Sequence, residues 1–424
     1  MRHRTSLAGT TAALALITVL AGCSTKASDG DGGGGTSSDG VKTDYGVTDD
    51  TITLGVLTDA SGVFKATGIA NTQGNQLWVD DVNADGGICG REIKLNVQDH
   101  GYKADNAVPL YEKIKNDVVA MIQVNGSPVL AALKAKLTSD QMLSIPSATA
   151  SNNLDSEVIL MIGQTYDLEM INGLAYLQEQ GMIADGDKVG HIYVDSEYGQ
   201  NSIRGTKYYT DQHDMELVEA TVSASDTDMT ATITKLKDAG VKAIALAVTP
   251  GALGSVALQN VSQGLNVPMI GNNPTYSVTL LQDEGTSKAL QDNYYFINSV
   301  DAYSDTDNPA MVDIAKKYDA KYTEKPEKAV PSGYVFGMAY EQILKKACEN
   351  GDLTRAGVLA AREEITDVDT KGLTGNLDLS KHGEPTSREA YILKVDPTQP
   401  TGLVKTGDLF SSPEATSYKA PYQK

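Results

Sequence analysis

Three short stretches of this 424-residue chain place hydroxyl, amide and backbone donors directly after β-branched runs. Thr58-Asp59-Ala60-Ser61-Gly62-Val63-Phe64 follows the run from Thr51, Asn125-Gly126-Ser127-Pro128 follows Val118 to Val124, and Pro146-Ser147-Ala148-Thr149 closes the run from Met142. Groups of this kind hold a ligand by hydrogen bonds and do not attack it. Ser61 and Gly62 offer a hydroxyl and a backbone N–H, and Phe64 an apolar wall; a plain strand-to-helix turn accounts for the same residues. Ser127 stands at a helix N-cap, so its oxygen either caps its own helix or, with the free N–H groups there, meets a ligand oxygen. Residues suited to catalysis are scattered. There is no G-x-S-x-G elbow, H-E-x-x-H or P-loop, and the histidines (His3, His100, His191, His213, His382) do not cluster. His191 opens a predicted buried strand and reads as a core imidazole. No enzyme activity, catalytic residue, metal or cofactor is expected, and a secreted hydrolase using paired carboxylates is the enzyme alternative.

The three cysteines carry different chemistry. Cys23 ends Leu20-Ala21-Gly22-Cys23, which closes an apolar stretch beginning after Arg2 and Arg4. Two positive charges, about fifteen apolar or small residues and then a cysteine make a secretory signal too short to stop in a membrane as a spanning helix. The run resembles a bacterial lipobox, so residues 1–22 are expected to be removed and Cys23 lipidated. Residues 23–48, rich in Gly, Ser and Asp, are expected to be a flexible linker; about twenty such residues reach roughly 25 Å from a membrane. Cys89 and Cys348 remain as an even pair in an oxidising compartment, either bonded or two buried thiols. Neither lies in a C-x-x-C motif.

Loss of residues 1–22 leaves 33 basic against 55 acidic residues, a charge of −22. Nucleic acid is excluded as a partner, because its recognition needs a basic footprint. The donor loops need strands to hold them, and from residue 51 β-branched runs alternate with helix-period segments, as in Ala107, Leu110, Tyr111 and Ile114. Later runs are Val189 to Val194, Leu217 to Val222, Ala243 to Val248 and Pro268 to Gly271, with 372–379 and 390–395 also read as strands. Strict alternation predicts parallel sheets covered on both faces. The length predicts two lobes, and the fold class is α/β with two doubly wound parallel-sheet lobes. The first lobe takes 49–165 and 302–375, the second 166–301 and 376–424. In such sheets ligands bind beyond the carboxyl ends of the strands, where the three donor loops lie.

Trp78-Val-Asp-Asp-Val-Asn-Ala-Asp-Gly-Gly-Ile-Cys-Gly-Arg91, with the Ser61-Gly62 loop, Pro146 to Thr149, Glu197-Tyr198-Gly199 and Pro331-Ser-Gly-Tyr334, resembles the branched-chain amino-acid-binding family over about residues 50–395. These are type I periplasmic solute receptors of ATP-driven (ABC) importers. The resemblance implies two lobes joined by three crossovers, near 163–168, 298–303 and 372–379, that close over a small ligand and present it to permease subunits. It carries the carboxylate cradle onto Ser127, Ala148 and Thr149, and pocket walls onto Tyr198 and Tyr334. The acidic positions that would meet a ligand ammonium fall on Thr165 and Asn273, both neutral, with Asp167, Asp195 or Glu197 as the substitute carboxylates nearby in the sequence. A buried ammonium without a counter-charge is costly. The expected ligand is therefore a small polar molecule of the amino-acid, amide or carboxylate class, and not a free branched-chain amino acid. The expected protein is an extracytoplasmic, lipid-anchored solute receptor; a clamp that reports ligand to a signalling partner is the alternative.

Overall fold

Parallel strands clad on both faces are mostly apolar, and β-strand segments such as AMIQV, AIALA and YYFIN are buried at every position, with the polar Gln123 and Asn298 hydrogen-bonded. The computed structural model describes residues 34–421 and 423. The chain first lays down β1 (Gly35–Thr36), β2 (Lys42–Thr43), β3 (Thr51–Thr58), α1 (Lys65–Ala84), β4 (Glu92–Asp99), α2 (Ala104–Ile114), β5 (Ala120–Val124), α3 (Ser127–Ser139) and β6 (Ser144–Pro146). It crosses to build α4 (Tyr166–Glu179), β7 (Lys188–Val194), α5 (Glu197–Gln212), β8 (Glu216–Val222), α6 (Thr230–Ala239), β9 (Ala243–Ala247), α7 (Pro250–Ser262), β10 (Met269–Gly271), α8 (Glu284–Asn293) and β11 (Tyr294–Asn298). It returns with α9 (Pro309–Lys321), α10 (Val330–Glu349), β12 (Asp352–Leu353) and α11 (Arg355–Arg362), then finishes with β13 (Tyr391–Val395), β14 (Leu403–Lys405) and α12 (Pro413–Ser417).

The first lobe's sheet has the parallel order β4-β3-β5-β6. The second runs β14-β13-β11-β10-β9-β7-β8, with β13 and β14 antiparallel at its edge and the rest parallel. The protein is thus α/β with two doubly wound lobes.

Three passages between the lobes are bonded to one another. The Gly163 N–H donates to Thr386 Oγ1 at 2.9 Å, the Gln164 N–H to Ser299 Oγ at 3.2 Å, and Thr374 Oγ1 to the Ser299 carbonyl at 2.7 Å. The third passage lies later than 372–379, and that segment is not a strand. Leu373, Leu377 and Leu379 are buried in the first lobe's core, and Thr374 forms only an isolated bridge with Val300. Three leucines need cover, so the chain stays with the first lobe until about Thr386 and enters the second lobe's core at Ala390.

The expected signal, Cys23 and the first part of the linker lie outside the described residues. The linker expected through residue 48 is built into the first lobe from Gly34 onward. β1 pairs with β2, and β2 with β12. The cause is Arg91, whose side chain is almost fully buried: Nε donates to the Thr48 carbonyl at 2.8 Å, Nη2 to Ser37 Oγ at 2.9 Å, and Nη1 pairs with Asp39 at 2.8 Å. Those bonds hold the Asp39 carboxyl well below the usual carboxylate range.

A disulfide joins Cys89, in the turn after α1, to Cys348, near the end of α10, across 259 residues. It pins the two helices that frame the first lobe's core. Replacing both cysteines by serine is expected to cost about 2–4 kcal/mol, read as a lower urea midpoint with an unchanged folded spectrum.

Candidate ligand-binding site

The carboxyl ends of β3, β4, β5 and β6 and those of β7, β10 and β11 face one cleft. Asp59 is fully buried and fixes the first loop, accepting from the Gly62 N–H at 2.5 Å and the Phe64 N–H at 2.9 Å. The loop after β4 is held by Asp99, which accepts from the Ala60 and Gly101 N–H groups at 2.9 Å, and by the Tyr102 N–H bond to His100 Nδ1 at 3.0 Å. Gly126 has φ 100°, and a Cβ there would strike the Tyr102 ring at 2.8 Å. Glycine thus lets Tyr102 lie across the start of α3.

Four rings gather in the cleft. Phe64 and Tyr102 from the first lobe stand 4.8 Å apart by centroid, Phe64 meets Tyr198 at 6.5 Å edge-on, and Tyr198 meets Tyr166 at 4.8 Å. Tyr198 is fixed by its hydroxyl, which donates to Asn272 Oδ1 at 2.5 Å. These rings, with Thr67, Asn125, Gly126, Ser127, Ser147, Asn273 and Pro274, line a narrow outer chamber. Ser147, Tyr166 and Asn273 are shared with an inner chamber, completed by Asn71, Thr149, Ile162, Gln164, Glu169, Asn298, Ser299, Val300, Ser332 and Phe336. The cleft is therefore aromatic at one end and rich in amides and hydroxyls at the other.

The inner end also holds charge. The Asn273 N–H donates to Glu169 Oε2 at 3.2 Å, and Asn273 Nδ2 to Asn298 Oδ1 at 2.7 Å. Burial pushes the Glu169 carboxyl up to about 8, against the Asn273 N–H and the nearby Lys328. At pH 7 this side chain is mostly a neutral hydrogen-bond donor. Lys328 is buried and donates to Asn273 Oδ1 at 3.3 Å; burial brings it down to about 8, opposed by Glu327 and Glu169.

Of the expected site residues, Phe64, Ser127, Thr149, Tyr198 and Asn273 line the chambers. Ser61 lies in the loop behind Phe64, and Ala148 turns into the first lobe's core beside Val129 and Leu133. Thr165 is buried with its hydroxyl on Asp167. Tyr334 points the other way along α10, its hydroxyl on Asp81 Oδ2 at 2.6 Å. The substitute carboxylates are engaged elsewhere. Asp167 accepts from Ser151 Oγ at 2.6 Å and the Tyr418 hydroxyl at 3.0 Å, Glu197 accepts from Asn152 and Asn153, and Asp195 borders a space on the outer side of Phe64, Tyr102 and Tyr198, away from the amide-rich end. Tyr102, Tyr166, Glu169 and Lys328 were not anticipated. Tyr166 and Glu169 share one face in the first turn of α4, directly after the first passage, and that placement was the available signal. No group of three or more metal-ligating side chains occurs among the described residues.

The model of the periplasmic binding protein family matches residues 51–401. No curated protein matches the chain. Among solved structures, a fatty acid ABC transporter substrate-binding protein from Thermomonospora curvata is 37% identical, with TM-score 0.88 over 92% of this chain and 100% of its own. A branched chain amino acid ABC transporter from Thermus thermophilus with bound valine shares 15% identity, with TM-score 0.76 over 86% of this chain and 98% of its own. The substrate binding protein LivJ from Streptococcus pneumoniae in complex with isoleucine shares 23%, with TM-score 0.69 over 84% and 100%.

Proposed function

The chain belongs to the periplasmic binding protein family, and on that premise we propose that it is an extracytoplasmic solute receptor of an ABC importer, which closes two lobes over a small ligand and delivers it to permease subunits. The observation that carries this reading is the paired chamber, to which Phe64, Ser127 and Thr149 come from one lobe and Tyr198, Glu169 and Asn273 from the other. The signal and linker sequences support a lipid anchor at Cys23 on the outer face of the membrane.

The proposed ligand has an apolar body for the four rings and a polar carboxylate or neutral head for the amide-rich end. Burial raises Glu169 to about 8, so with no ligand cation beside it the carboxyl is mostly a neutral donor that suits a carboxylate or amide head. The Thermomonospora curvata protein named for fatty acids makes fatty carboxylates the first probes, and leucine, isoleucine and valine are expected not to bind.

A thermal-shift panel of decanoate, shorter carboxylates, amides and the three branched-chain amino acids tests this reading. A carboxylate that binds should raise the melting temperature, because it stabilises only the folded form. Tyr198→Ala from the second lobe and Ser127→Ala from the first should each abolish the shift. Micromolar binding of leucine would overturn the ligand class, and a shift that survives either variant undiminished would overturn the clamp. Cys23→Ala should release the protein from membranes if the anchor is correct.

A further inference from the structure

Glu327 and Lys328 lie in the segment leading into α10, whose body is packed in the first lobe's core. Both side chains nevertheless end on the second lobe. Glu327 Oε1 accepts from Ser277 Oγ at 2.5 Å and Oε2 from the Val278 N–H at 3.2 Å. Lys328 donates to Asn273 Oδ1 and holds its ammonium 5.2 Å from the ring centroid of Phe296 on β11. Every partner belongs to the second lobe, so separating the lobes breaks all four contacts together. Glu327 lines the space between α1 and the 278–282 turn, away from both chambers, so its bonds serve the meeting of the lobes and not the ligand.

The two residues also differ in what they reach. Glu327 ties down the backbone and hydroxyl at the start of the 278–282 turn. Lys328 takes hold of Asn273, the residue that lines both chambers and bonds Glu169 and Asn298. An ammonium arriving from the first lobe therefore fixes an amide of the second lobe at the point where the two chambers join. Glu327, ahead of Glu169, is the carboxyl that favours this ammonium against its burial.

We propose that Glu327 and Lys328 form a built-in latch that holds the lobes closed before ligand arrives and, by seating Asn273, couples closure to completion of the chamber. The proposal rests on the clamp reading above and adds that the protein's own contacts favour the closed state. Removing contacts made in only one of two states shifts the population toward the other. Lys328 acts through Asn273 and is a positioning residue.

The test is small-angle scattering of the ligand-free protein. Wild type should be compact, near the roughly 21 Å radius of gyration of a folded chain of about 390 residues, and Glu327→Ala with Lys328→Met should raise it by about 5%. Ser277→Ala approaches the same contact from the second lobe and should expand the protein in the same direction. It carries the test alone if the double variant fails to fold, as judged by its urea midpoint. Glu327→Gln keeps an oxygen for the Val278 N–H and should expand the protein less than the double variant, a grading that a general loss of packing would not produce. Variants as compact as wild type, or a wild type already as extended as the variants, would overturn the latch. Neither result bears on the clamp, which stands or falls on whether binding needs side chains of both lobes.

Discussion

Gly333→Val is expected to cost about 3 kcal/mol or more, enough to unfold the first lobe under conditions where the wild type is folded. Helices α1 and α10 cross so closely that a Cβ on Gly74 would strike the Val330 carbonyl, one on Gly333 the Asn71 carbonyl, and one on Gly337 the Trp78 ring. Two of these contacts are with backbone atoms, which cannot swing aside as a side chain can. Valine adds two methyl groups to a position that has no room for one. The helices would have to separate, exposing Trp78, Leu77 and Tyr340, all nearly or fully buried now. The separation would also move Ser332 and Phe336, which line the inner chamber, and the Glu327-Lys328 segment. Urea unfolding followed by Trp78 fluorescence reads the loss. Gly407→Ala, at a position with nothing within 4 Å, is the matched control and should be neutral. A midpoint for Gly333→Val within experimental error of the control would show that the helix crossing is not as tight as its glycines imply.

The strand runs and donor loops were legible in the sequence because each fully buried strand leaves an unbroken apolar run and each loop after it changes composition abruptly. The site was legible only where alternation did not matter. Ser147 and Thr149 line the chambers while Ala148 between them packs in the core, since neighbouring residues of an extended segment point opposite ways and a shift of one exchanges ligand face for core face. Thr165 stands one residue before Tyr166, and only the tyrosine reaches the cleft. Glu169 and Lys328 escaped for a different reason. A single acid in a helix and a single lysine before one resemble surface residues until tertiary packing covers them, and burial is a property of the whole fold. The ordered segment at 34–48 was hidden likewise: Gly, Ser and Asp read as a linker, and only the Arg91 guanidinium, contributed from after α1, gives Asp39 and Ser37 a reason to be fixed.

Acid is expected to destabilise the second lobe through His191, and His191→Gln should relieve it. The imidazole is fully buried on β7, with Nδ1 at 2.7 Å from Thr206 Oγ1 and Nε2 without a partner. Burial alone lowers it from 6.5 to about 3, because a charged ring there would have neither water nor a counter-ion. The unfolded chain protonates this histidine as pH falls through 6.5, whereas the folded chain resists until about 3. Between those values the unfolded state binds more protons, so stability falls with falling pH, by about 3 kcal/mol at pH 4 from this one group. Glu169 contributes with the opposite sign over a different window. Its folded value near 8 lies above the unfolded one, so protonation favours the folded state as pH falls from 8 to about 4.5. A single stability profile therefore mixes the two, and the difference between wild type and His191→Gln isolates the histidine. Glutamine can still bond Thr206 and cannot ionise in this range, so the difference should be nearly constant above pH 7. Below 6.5 the variant should gain on wild type steadily as the buffer is acidified. Parallel profiles from pH 7 to 4 would mean that the imidazole finds a proton-stabilising partner in the folded lobe, and the burial argument would fail.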